Sequence, residues 1–193
     1  MSRLLRTIRL DASDGVIFAP AAAPGEWAVP GTFLFAGRDP AGLSRKEAIA
    51  FRSGFLGIES FGHSTLCVVS EARGGEIEAA TEMLARGLVA HLGAPSLDEA
   101  RPAAAEEIAL SGDLCRGFDT GTLVALHRSR EPDGAITEQF RSLRPRDETA
   151  FGRSDLAGHD RAFHIVESDD DEAPGEAGLT LADLAARAGA RGH

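Results

Sequence analysis

Apolar and polar positions change period several times along the chain, and each change marks an expected element. Leu4 to Leu10 reads as a strand with Leu4, Ile8 and Leu10 on one face, ended by the turn residues of Asp11-Ala-Ser-Asp-Gly15. Val16-Ile-Phe18 starts a second strand. Trp27-Ala-Val29 and Thr32-Phe-Leu-Phe35 flank Pro30-Gly31, a pair suited to a type II turn, so a hairpin is expected there. Ser44-Arg-Lys-Glu47 has the form of a capping box and predicts a short helix to about Arg52, stopped by Gly54. Ser64 to Ser70 is apolar on both faces, as in a central strand. Ile77, Ala80, Leu84 and Leu88 then recur at helical spacing, with Glu76 and Glu78 in the first turn and Gly93 as the cap. A second box, Ser96-Leu-Asp-Glu99, opens a helix running through Ala104 and Ile108 towards Cys115, with Pro102 kinking or restarting it.

The clearest strand signal is late in the chain. Glu131-Pro-Asp-Gly-Ala135 suits a type I turn with a bulge, and that register pairs Arg128 with Glu138 and Leu126 with Phe140. Val124, Leu126, Ile136 and Phe140 then share the core face, while Ala125, His127, Gln139 and Arg141 face outward. Ala162-Phe-His-Ile-Val166 reads as a last strand. Residues 167–178 have the composition of a disordered acidic linker, and Thr180 caps a short helix with Leu181, Leu184, Ala185 and Ala188 on one stripe. Together these elements predict an α+β fold, a mainly antiparallel sheet with two or three helices packed on one face. The expected division is a single domain over residues 1–166 and a tail over 167–193.

One segment keeps no period. Phe51-Arg-Ser-Gly-Phe-Leu-Gly-Ile-Glu-Ser-Phe-Gly-His-Ser64 interleaves phenylalanines with glycines, which predicts an irregular loop pinned to the core by Phe51, Phe55 and Phe61. Loops held in this way often line sites. Ser60, His63 and Glu59 supply the residue types of a hydrolase, with a base near a hydroxyl and glycines that expose backbone N–H groups. No Gly-x-Ser-x-Gly elbow accompanies them, and a packed loop whose polar side chains satisfy the backbone accounts for the same residues.

Composition narrows the function further. The 193 residues are 43% hydrophobic, with mean hydropathy -0.11, and no apolar run approaches the length of a membrane span. Arg3, Arg6 and Arg9 interrupt the N-terminal apolar residues, unlike a secretory signal, so a cytoplasmic protein is expected. The net charge is -10, most of it in the tail, which opposes nucleic-acid binding. Arg128, Arg130, Arg141, Arg144 and Arg146 form a local basic cluster that reads as a solvated strand face. Cys67 and Cys115 are expected as buried free thiols. His159 and His164, with Asp155 and Asp160, are metal-ligand types without a recognised spacing, and no metal is assigned to them. No dinucleotide, phosphate-loop or iron–sulfur motif occurs, and no cofactor is expected.

At Leu5-Arg-Thr-Ile-Arg-Leu-Asp11, Gly25-Glu-Trp-Ala-Val29, Phe33-Leu-Phe35, Arg52-Ser-Gly-Phe-Leu-Gly57 and Ser60-Phe-Gly62, the chain resembles a small bacterial domain family of unknown function. The resemblance covers roughly residues 3–145. It implies genes near molybdenum and iron–sulfur oxidoreductases and their maturation factors, and hence an accessory role; it carries no activity onto any residue. The expected function is therefore an accessory or partner-binding protein that assists assembly or maturation of a larger oxidoreductase, with the Ser60 and His63 hydrolase as the alternative. Trp27, Phe55, Phe61 and Arg141 are the expected ligand or partner surface.

Overall fold

A computed structural model describes residues 2–143. Over the described residues the architecture is α+β: a seven-stranded antiparallel sheet and four α-helices. In chain order the elements are β1 (Ser2–Ile8), α1 (Ser13–Ile17), β2 (Trp27–Val29), α2 (Arg45–Ser53), β3 (Phe55–Gly57), β4 (His63–Ser64), β5 (Leu66–Ala72), α3 (Glu76–Leu92), α4 (Leu97–Cys115), β6 (Leu123–Arg130) and β7 (Ile136–Leu143). The sheet order is β4-β3-β2-β1-β5-β6-β7, so β1 is central and pairs along its whole length with β5.

Side chains alternate across each strand, and the core divides accordingly. Leu4, Val29 and Leu56 join Ala80, Leu84 and Leu88 of α3 and Ala100, Ala104 and Ile108 of α4 in one cluster. Their strand neighbours Leu5, Ala28 and Phe55 join Cys67, Val69, Val124, Leu126, Leu114 and Cys115 in another. α3 packs on α4, and α4 lies against β1 and β2. Gly93, at φ 72, closes α3 by returning its N–H to the Leu88 carbonyl. Ser44 and Glu47 form a complete capping box at α2, and the Ser96 hydroxyl accepts from the Glu99 N–H at α4. Pro102 lies inside α4, which runs through it as one helix.

The late hairpin has the expected register, with Arg128 opposite Glu138 and Leu126 opposite Phe140. Gly134, at φ 92, provides the left-handed residue of its turn. Three expectations are corrected. Val16 and Ile17 belong to α1 rather than a strand, because Asp14 is buried there, accepting from the Thr65 N–H and the hydroxyls of Ser64 and Thr65. Thr32–Phe35 is a 3-10 turn, so β2 pairs with β1 and β3 and forms no hairpin across Pro30-Gly31. The aperiodic segment is not one loop: Phe51 ends in α2, and Phe55–Gly57 pairs with His63–Ser64. The expected strand at 162–166, the acidic linker and the tail helix lie outside the described residues, and so do Arg144 and Arg146. Among the described residues no helix is long and apolar enough to cross a membrane.

Candidate functional site

The loop between β3 and β4 is organised by a residue far from it in sequence. Glu26, just before β2, is 5% exposed, and its carboxylate is enclosed by donors. Oε1 accepts from the Ala23 N–H at 2.6 Å and the Ser60 hydroxyl at 2.6 Å; Oε2 accepts from the N–H groups of Glu59 at 2.8 Å and Ser60 at 2.9 Å. Four donors satisfy the charge that burial would otherwise penalise heavily. Gly57 is required beneath it, since a Cβ there would come within 2.5 Å of the Glu26 carboxyl carbon.

This arrangement decides what Ser60 does. Its hydroxyl donates to Glu26 and accepts from the Gly62 N–H at 3.1 Å, and no hydrogen bond joins it to His63. His63 instead lies beside Phe18 and Phe35, with ring centroids 5.8 and 6.2 Å away, and its Nε2 has no hydrogen-bond partner among the described residues. Burial, and then the positive charge of Arg128, pushes its pKa down to about 4. The Glu59 carboxylate is exposed, and no donor among the described residues meets it. The three candidate catalytic residues are thus near in sequence and directed to different tasks.

Phe61 pins the loop to α3. It holds a left-handed φ of 52, stacks on His91 with centroids 4.4 Å apart, and covers Gly87, where any Cβ would meet the ring at 2.5 Å. Phe55 is fully buried beside Leu5 and Ala28, so it contributes to no surface. Arg128 also departs from expectation. It is 1% exposed, paired with Glu138 at 2.7 Å, and it donates to the carbonyls of Phe51 and Gly54 at 3.0 Å and to that of Pro30. The basic cluster is therefore divided between the core and the surface. Both cysteines are free and buried; burial raises both thiols, Cys115 to about 12.

Two concave surfaces stand out among the described residues. One, of about 310 Å³, lies on the β6–β7 hairpin and is lined by Ala125, Leu126, His127 and the exposed Arg141. The other, of about 380 Å³, lies between the start of β2 and the first turns of α3. Trp27, Arg6, Glu59, Glu76 and Met83 line it, with Ala79 and Ala80 between them. The Arg6 guanidinium sits 3.5 Å from the centre of a Trp27 ring, donates to the Gly25 carbonyl at 2.8 Å and pairs with Glu76 at 3.2 Å. Trp27 was visible in the sequence as a surface candidate. Arg6 and Glu76 were not, because they come from β1 and α3, 70 residues apart, and carry no local motif.

Among the described residues no three His, Cys, Asp or Glu side chains gather as a metal site, and His159 and His164 lie outside those residues. A family model for a family of unknown function, DUF6505, matches residues 1–159, and the chain belongs to that family. No curated protein and no solved structure matches it.

Proposed function

We propose that this member of the DUF6505 family is an accessory, partner-binding protein of the bacterial cytoplasm, and that the cleft around Trp27 is its docking surface. The observation that carries this reading is the placement of the chain's single tryptophan. Trp27 lines an open cleft beside Met83 while the neighbouring β2 residues Ala28 and Val29 are buried. Tryptophan, methionine and arginine are enriched where proteins meet, and a guanidinium adds a directional contact to the apolar pair. The rigid setting of Glu59, whose backbone is held by Glu26, gives the cleft a fixed rim.

The partner that fits the resemblance is a larger oxidoreductase or one of its assembly factors, which this protein would assist during maturation. The test is purification of the tagged full chain from its native cell beside a Glu59→Arg variant, whose exposed substitution leaves the core intact. A stoichiometric protein retained by the unaltered chain and lost from the variant supports the reading. A partnerless protein in both preparations overturns it and returns attention to hydrolysis, measured with Ser60→Ala and His63→Ala variants.

A further inference from the structure

We infer that the Trp27 cleft receives an arginine side chain of the partner protein, which takes the place now held by Arg6; this deepens the partner-binding reading and rests on it. Among the described residues, three carboxylates, of Glu26, Glu59 and Glu76, line the cleft against the single cation of Arg6. The oxygens of Glu26 are filled by the Ala23 N–H and by donors of the β3–β4 loop, whereas the Glu59 carboxylate meets no donor among the described residues. The cleft is therefore short of positive charge at its rim, and a cationic occupant is the complementary one.

The geometry further selects a guanidinium. Arg6 already displays how one is held there: its guanidinium carbon over the indole, 3.5 Å from a ring centre, with one nitrogen on a backbone carbonyl and another on the Glu76 carboxylate. A planar fork makes all three contacts at once, while a lysine ammonium is a point charge that cannot stack. The Arg6 side chain is 33% exposed and anchored at its tip to groups that remain in place when it leaves. Exchange of one guanidinium for another conserves the stacking and the Glu76 pair. It also adds a charge pair with Glu59 and apolar contact of the incoming stem with Ala79 and Met83.

The cleft supplies its own probe, because Trp27 is the only tryptophan and the chain has no tyrosine. A displayed random-peptide library, lacking Trp and Tyr, is selected on the full chain, and the selected peptides are titrated against Trp27 emission. The expected peptides carry arginine, shift the emission saturably and lose about tenfold in affinity when that arginine becomes citrulline. Glu59→Gln weakens them severalfold, and Arg6→Ala, which removes the resident competitor, tightens them. Glu59 is exposed and Arg6 half-buried, and circular dichroism of each variant checks that the fold is kept before it is titrated.

Peptides that shift the emission without arginine, or indifferently to citrulline, overturn the guanidinium inference and leave the partner-binding reading standing. If no peptide shifts the emission, the inference falls as well. The partner-binding reading falls with it only when the tagged chain is also recovered partnerless.

Discussion

At the scale of single residues, the decisive group is one that sequence patterning passes over. Glu59, Ser60 and His63 attract attention as a set because their types are chemical, yet the structure ties Ser60 to Glu26, 34 positions earlier. Nothing in Gly25-Glu-Trp27 marks that glutamate as buried; the signal lies in Gly57, whose missing side chain makes room for it. Glu26→Ala leaves three N–H groups and a hydroxyl without their acceptor, each such loss costing about 1–3 kcal/mol. Water entering the vacated space recovers part of this, so a net loss of about 3 kcal/mol is expected in urea denaturation. Formate or acetate, filling the carboxylate position, should raise the melting temperature of Glu26→Ala more than that of the unaltered protein. Equal stability of the two proteins would show that the loop does not depend on this carboxylate.

At the scale of elements, what the sequence made legible was local. The hairpin of β6 and β7 follows from the turn at 131–135 and the alternation beside it, and α3 follows from its stripe and its Gly93 cap. Val16–Ile17 and Thr32–Phe35 depart from expectation because a short apolar run has the same appearance in a strand, a helix turn or a 3-10 turn. Their choice was made by distant partners: Thr65 for the first, and Glu138, to which the Thr32 hydroxyl donates, for the second. Gly87 shows the same dependence between α3 and the β3–β4 loop. Alanine at an interior helix position is ordinarily worth about 1 kcal/mol over glycine, but here its Cβ would strike the Phe61 ring at 2.5 Å. Gly87→Ala should therefore destabilise the unaltered protein by about 1–2 kcal/mol and stabilise a Phe61→Ala background by up to about 1 kcal/mol. A double-mutant cycle measures the difference. Gains in both backgrounds would mean that the loop shifts freely and is not pinned by that ring.

At the scale of the whole molecule, buried and half-buried ionisable groups couple the hairpin to the helices. Arg128 on β6 lies against Glu138 on β7, and its field reaches His63 on β4 and Glu107 on α4. Burial first, with the charge of Glu138 added, pushes Glu107 up to about 7 from an ordinary 4.5. Its folded-state proton is held more tightly, so stability is full below pH 4.5 and is lost as pH rises towards 7. His63 acts in the opposite sense. With its pKa at about 4 rather than 6.5, its contribution is full above pH 6.5 and is lost as pH falls towards 4.

Each slope approaches about 1.4 kcal/mol per pH unit, and the two windows overlap between pH 4.5 and 6.5, where they cancel. Over that interval these groups leave the unaltered protein nearly indifferent to pH, and substitution of either exposes the other. Glu107→Gln should lose stability as pH falls from 6.5 to 4.5 and exceed the unaltered protein by about 2–3 kcal/mol at pH 8. His63→Leu, which also removes the unpaired Nε2, should lose stability as pH rises from 4.5 to 7. Urea midpoints across pH 4.5–8 decide the matter: two variants that follow the pH profile of the unaltered chain would mean that neither side chain carries a proton difference between its folded and unfolded states.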